Sequence, residues 1–247
     1  MTDLSDKTAV VVGASRGLGR GVATTFAEVG ATVVGVARDA DALGALAGAG
    51  IRPEAGDATD PELASIVIER HDPDLLVVVA GATPSMGPLS QQSWAGLSVN
   101  WETDVRIAFE WLRAALVKPL RPGGRVVVFS SGAVLQGSPL SGGYAGAKAT
   151  QRYLTQYAQV EADGRGLGLT FTTVLPKLTP ATDLGRVGVA AYAAKAGLSP
   201  EDFVAQMGGV PLTPEATGAA VVDLVLADPA TSSPAYLLTG EGVRPAP

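Results

Sequence analysis

The chain has 247 residues, 47% of them hydrophobic and 17% charged, which gives ample core material and suits one large α/β domain or two small ones. The formal net charge of −6, with no basic run, weighs against a nucleic-acid partner, and the absence of cysteine excludes a disulfide framework and a thiolate metal site. His71 is the only histidine, so a histidine-based metal site or a Ser-His-Asp triad is not expected, and no metal is assigned.

The N-terminal stretch MTDLSDK carries no basic region followed by an apolar one. No segment reaches the roughly 20 apolar residues of a membrane span, so a soluble cytoplasmic protein with no membrane partner is expected. TAVVVG (8–13) reads as a first strand, followed by a helix over 17–29. ATVVGVA (31–37) is the second strand, DADALGALAG (39–48) the next helix, and IRPEAGD (51–57) a weaker third strand. Asp60-Pro61 opens a helix to His71, because proline suits the first helical turn. DLLVVVAG (74–81) is apolar on both faces, as a central parallel strand should be. A long helix is expected over 90–117, a fifth strand at GRVVVFSS (124–131), a helix from Gly142, and a sixth strand at GLTFTTVLP (168–176). Residues 177–212 read as irregular with helical pieces, before a helix over 214–227 and a last strand at AYLLTG (235–240).

Strands and helices alternating in this way imply right-handed βαβ units. The expected architecture is one doubly wound Rossmann-type domain over 1–247, with a central, mostly parallel seven-stranded sheet flanked by helices and a substrate-binding region at about 177–212. Ligands of such sheets bind beyond the carboxyl ends of the strands, so the informative residues should follow strands directly.

GASRGLG (13–19) does so after the first strand. Gly13, Gly17 and Gly19 let the backbone turn tightly and let a pyrophosphate approach a helix N-terminus, although the spacing is not a literal G-x-G-x-x-G. After the second strand the chain reads VARD (36–39). An NAD site usually places an acid here, for the ribose 2′-hydroxyl. Arg38, with Arg16 in the glycine turn, instead makes a clamp for a 2′-phosphate, so NADP(H) is expected over NAD(H). Asp39, one step further on, is the residue that argues the other way, and a solvated surface role for Arg38 is the plainer alternative.

SGGYAGAKAT (141–150) sets Tyr144 and Lys148 four residues apart, hence on one helix face, among small residues. A tyrosine hydroxyl titrates near ~10, and a neighbouring ammonium favours the phenolate and should lower that value. The pair therefore reads as a proton-transfer device, with an incidental surface pair as the alternative.

Together these stretches resemble a classical short-chain dehydrogenase/reductase over nearly the whole chain. GASRGLG resembles that family's cofactor turn, Asn100 in SVNW its helix asparagine, and YAGAK its Tyr-x3-Lys motif; Ser131 precedes Tyr144 by the usual thirteen residues. The resemblance implies a catalytic set of Asn100, Ser131, Tyr144 and Lys148. Tyr144 would exchange a proton with the substrate oxygen, Ser131 would orient that oxygen, Lys148 would hold the nicotinamide ribose, and Asn100 would hold a water in a relay to solvent. Ser130 is the alternative to Ser131, and a helix-packing amide the alternative for Asn100. For the cofactor the resemblance implies Ser15 and Leu18 within the glycine turn, Asp57 and Ala58 near the adenine, Ala80 and Gly81 after the fourth strand, Pro176 after the sixth, and Thr182 with Thr179 as its rival. It also implies a homodimer or homotetramer.

Some residues depart from the family pattern. VAGA (79–82) stands where the family usually carries Asn-Asn-Ala-Gly, so the asparagines at 78–79 are missing. Pro176-Lys177 replaces the usual Pro-Gly, leaving Lys177 either pointing to solvent or touching a phosphate or an anionic substrate. Met86, Leu135, Gln136 and Leu140 are the expected substrate walls, for a ketone or aldehyde of modest polarity or the matching alcohol. Trp94, Leu97, Trp101 and Val105 recur at helical spacing, as core packing or as an oligomer face. The expected function is an NADP(H)-dependent carbonyl reductase or alcohol dehydrogenase. The competing readings are a non-catalytic NADP-binding regulator and a sugar-nucleotide epimerase or dehydratase; the short chain and the glycine spacing disfavour the latter.

Overall fold

In the computed structural model, which describes residues 3–247, eight strands form one sheet in the order β3-β2-β1-β4-β5-β6-β7-β8. The first two residues of the N-terminal stretch lie outside the described residues. The strands are β1 (Thr8–Val12), β2 (Thr32–Ala37), β3 (Ile51–Ala55), β4 (Leu75–Val78), β5 (Arg125–Phe129), β6 (Thr170–Pro176), β7 (Ala235–Thr239) and β8 (Gly242–Pro245). The first seven pair in parallel and β8 turns back antiparallel on β7, with Thr239 opposite Gly242. The expected seven strands are thus corrected to eight. The four residues of β8 end in proline and carry no period-2 apolar pattern, so only the tight turn at Gly240-Glu241 hints at them.

Chain order reverses between β1 and β4, the switch point at which doubly wound sheets hold ligands. Apolar side chains cover both faces of the central strands. On one face Val11, Val33, Val77 and Val127 pack with Phe26 and Val221 from helices α1 (Gly17–Glu28) and α10 (Pro214–Leu226). On the other, Val10, Val34, Leu76 and Val126 pack with Val67 of α3 (Pro61–His71) and Trp111 of α5 (Arg106–Val117). Each fully buried valine stabilises the core by about 1.5–3 kcal/mol, which explains the β-branched runs in these strands.

The remaining helices are α2 (Ala40–Gly44), α4 (Trp94–Asn100), α6 (Ala133–Gln136), α7 (Gly142–Gly164), α8 (Asp183–Ala196) and α9 (Pro200–Met207). The long helix expected over 90–117 is in fact α4 and α5 joined by a π-helical turn at Trp101–Val105. Such turns carry one residue too many for α-helical bonding and often mark functional positions. Residues 177–212 are more regular than expected, holding α8 and α9, each N-capped by a hydroxyl: Thr182 for α8 and Ser199 for α9. Trp94 and Trp101 are exposed, so they are not core residues. Among the described residues no helix is long and apolar enough to cross a membrane.

Candidate active site

Loops at the carboxyl ends of the parallel strands open into one cleft of about 1230 Å³. Every catalytic and cofactor residue named from the sequence lines it except Asn100. Of the expected substrate walls, Met86, Leu135 and Gln136 line it, whereas Leu140 does not. The backbone carbonyl of Leu140 accepts from the Gly87 amide, tying two rim loops together.

The glycine turn sits at the end of β1. Gly13 has φ +96°, and a Cβ there would meet the backbone nitrogen of Ala80 at 2.7 Å. A Cβ on Gly19 would meet the carbonyl oxygen of Gly13 at 2.1 Å. The turn therefore closes on itself and on the β4 loop, and only glycine fits. Arg16, the residue before α1, makes no side-chain cap, which leaves the first helical N–H groups for an anion. A dinucleotide pyrophosphate fits this cradle. Thr182 stands across from it, its methyl 3.3 Å from where a Gly17 Cβ would be, while the hydroxyl of the rival Thr179 is committed to the Leu212 carbonyl.

Arg38 is exposed on the cleft beyond β2, with no salt bridge among the described residues. Asp39, by contrast, caps α2, its carboxylate accepting from the Ala42 amide at 2.9 Å. Asp57 accepts from both the amide and the hydroxyl of Thr59. Those two bonds, the amide first, hold its carboxyl below the ordinary aspartate range; slight burial opposes this, and Arg38 and Arg106 add to it. Arg16 makes only a loose, exposed pair with Asp183, at 3.9 Å.

Tyr144 and Lys148 line the cleft where α7 packs on β5. Tyr144 is partly exposed to the cleft, and its hydroxyl has no hydrogen bond among the described residues. Lys148 is buried and brings Nζ to 5.5 Å from the centre of the Tyr144 ring, a cation–π distance. Ser131 lines the cleft and accepts from the Ala133 amide. The alternative, Ser130, is buried and donates its hydroxyl to the Lys148 carbonyl at 2.7 Å, so it anchors α7 to β5. Asn100 lies behind the cleft wall, its amide donating to the Ala82 carbonyl at 2.8 Å and to Asp104 at 3.3 Å.

Two residues not singled out from the sequence complete this region. Asp104, fully buried in the π turn, places Oδ2 3.1 Å from Lys148 Nζ. Gln151, also buried, accepts from Lys148 Nζ at 2.9 Å and donates to the Asp104 backbone carbonyl at 2.8 Å. Burial alone would drive the Lys148 ammonium to lose its proton; Asp104, and after it Tyr144, outweigh burial and raise it above the ordinary lysine value. A signal was present: Asp104 falls one helical turn after Asn100 and one before Ile107 and Ala108, so it shares their face. Lys177 and Arg244 also line the cleft, both exposed. Tyr192, three residues before Lys195, lines it too, but its hydroxyl is bonded to Ser138 and its ring stacks on Phe203, so it braces α8 and α9.

The family model described as short chain dehydrogenase matches residues 7–192. The chain belongs to this family. A short-chain type dehydrogenase/reductase of Picea abies is 29% identical over 81% of this chain and 80% of its own length. The 3-oxoacyl-(acyl-carrier-protein) reductase of Escherichia coli is 30% identical over 69% of this chain and 72% of its own length. A short chain dehydrogenase of Pseudocercospora fijiensis is 31% identical over 66% of this chain, which spans only 57% of that protein. Membership in the short-chain dehydrogenase family, which uses nicotinamide cofactors, makes the protein an oxidoreductase.

Proposed function

We propose that this short-chain dehydrogenase interconverts a carbonyl compound and an alcohol with NADP(H), and that Tyr144 is its general acid and base. The observation that carries the reading is that Tyr144, Ser131 and Lys148 line the same cleft, with Lys148 Nζ 5.5 Å from the Tyr144 ring centre and the Tyr144 hydroxyl uncommitted among the described residues. When bound, the nicotinamide supplies or accepts the hydride. In the reducing direction Tyr144 gives its hydroxyl proton to the carbonyl oxygen, and in the oxidising direction it takes the proton back. Ser131 donates a hydrogen bond to that oxygen and fixes its position. Lys148 sets a positive charge beside the ring and so stabilises the phenolate left after proton transfer.

Preference for NADP(H) rests on Arg38 and Arg16, which offer two guanidiniums along the cleft, and on Asp39, whose carboxylate is engaged as a helix cap. The substrate class is a ketone or aldehyde of modest polarity, supported by the largely apolar walls at Met86, Leu135 and Leu178. A homodimer or homotetramer is supported by exposed apolar side chains on α4, the π turn, α5 and α7: Trp94, Trp101, Phe109, Tyr153, Tyr157 and Val160.

The test is NADPH oxidation, followed by absorbance, against a panel of ketones and aldehydes, with Tyr144→Phe beside the wild type. Turnover in the wild type and its loss in a variant that still binds NADPH is the expected result. A wild type that binds NADPH and turns over no carbonyl would favour a regulatory role.

A further inference from the structure

We propose that Asp104 is a positioning residue for this site, holding Lys148 by a buried ion pair where its ammonium faces the Tyr144 ring. The inference rests on the reading of Tyr144 and Lys148 as the reactive pair.

Both side chains are almost wholly inaccessible, 0% for Asp104 and 5% for Lys148. A buried charge is tolerated only when paired and hydrogen-bonded, so neither can stay ionised without the other. The carboxylate is itself clamped. Its Oδ1 accepts from the Ala82 amide at 2.8 Å and from Asn100 Nδ2 at 3.3 Å. Its Oδ2 accepts no well-angled hydrogen bond among the described residues, which leaves the ammonium at 3.1 Å as the group that compensates it. Gly81 packs against it so closely that a Cβ there would meet Oδ2 at 2.8 Å. Asp104 therefore binds the loop after β4 to α7. On the other partner, Gln151 Oε1 at 2.9 Å and the Phe129 carbonyl at 3.3 Å accept two of the three ammonium protons, leaving one N–H uncommitted by a hydrogen bond.

The titratable groups that face Nζ are Asp104 from the π turn and Tyr144 from α7; β5 meets it with the Phe129 carbonyl and α7 with the Gln151 amide, both neutral. Without the Asp104 charge, burial is the dominant influence left on Lys148. The ammonium would then lose its proton readily, and Tyr144 its cationic neighbour.

The experiment uses the whole chain and needs no substrate or cofactor, so it is independent of the oxidoreductase reading; fluorescence titration of the wild type with NADPH tests that reading separately. The chain holds five lysines, 7, 118, 148, 177 and 195, so side-chain NMR of isotope-labelled lysine resolves them, with Lys148→Met giving the assignment. Asp104→Asn keeps the shape and removes the charge. In the wild type Lys148 should titrate with or after the other four. In Asp104→Asn its midpoint should fall below theirs by about one pH unit or more. An unmoved Lys148 midpoint would overturn the proposal. Should Asp104→Asn be too unstable to titrate, the thermal midpoint of Asp104→Asn/Lys148→Met decides. A higher midpoint than that of Asp104→Asn alone supports a charge pair, since the double variant leaves no buried ion uncompensated; an equal or lower one contradicts it.

Discussion

Lys148 and Asp104 meet at 3.1 Å in a place where neither side chain reaches solvent, one from α7 and the other from the π turn between α4 and α5. The linkage has a definite sign. Lys148 titrates above the ordinary lysine value of 10.5, so its folded form binds its proton more tightly than the unfolded chain does. The stability it contributes is complete below that ordinary value and is lost as pH rises through the raised one. The thermal midpoint of the wild type, compared with Asp104→Asn/Lys148→Met, which carries neither buried charge, should hold its relation through neutral pH and change only in strong alkali. A difference that changes between pH 5 and 8 would contradict this.

The glycine turn makes a steric prediction. Gly19→Ala would place a Cβ 2.1 Å from the Gly13 carbonyl oxygen, and a backbone atom cannot give way as a flexible side chain can. The turn must open, at a cost of about 1–3 kcal/mol. Chemical denaturation should show that loss, and dinucleotide affinity should fall with it. Unchanged affinity would mean that the cofactor does not rest on this turn.

Cofactor choice is predicted to lie with Arg38. Arg38→Ala removes from the cleft a guanidinium that has no salt bridge among the described residues, while leaving the Asp39 cap of α2 in place. NADPH affinity should drop about tenfold or more, as loss of a charge-assisted contact worth roughly 1.5–3 kcal/mol would give, with NADH affinity little changed. Equal losses for both cofactors would assign Arg38 a structural role instead.

Exposed aromatics predict an interface. Trp94 is 77% exposed and Trp101 44%, on adjoining elements that pack beside α7. Trp101→Glu should convert an oligomer to smaller species in light scattering. A wild type that is monomeric at every concentration would remove the prediction.

Much of this arrangement was legible in the sequence because βαβ folds write themselves in short β-branched runs and place their sites just after them. TAVVVG followed by GASRGLG, and YAGAK thirteen residues after Ser131, fix the cleft from both ends. The hydroxyl of Ser130 could not be separated from that of Ser131 on spacing alone. Adjacent strand-end residues point to opposite sides, and only the bond to the Lys148 carbonyl tells which one is turned inward. Asn100 keeps the expected place in the helix, yet its amide faces Ala82 and Asp104, a contact set by the π turn that periodicity does not reveal. Gln151 and Asp104 lie forty-seven residues apart, and their pairing is a product of packing.

The most direct measurement of the central claim is titration of the purified protein with NADPH and with NADH, followed by nicotinamide fluorescence, and repeated on Tyr144→Phe. Tight NADPH binding, weaker NADH binding, and a Tyr144→Phe variant that binds NADPH as the wild type does are the expected results. If neither nucleotide binds, the cleft is not a dinucleotide site, and the roles assigned to Tyr144, Ser131 and Lys148 fall with it.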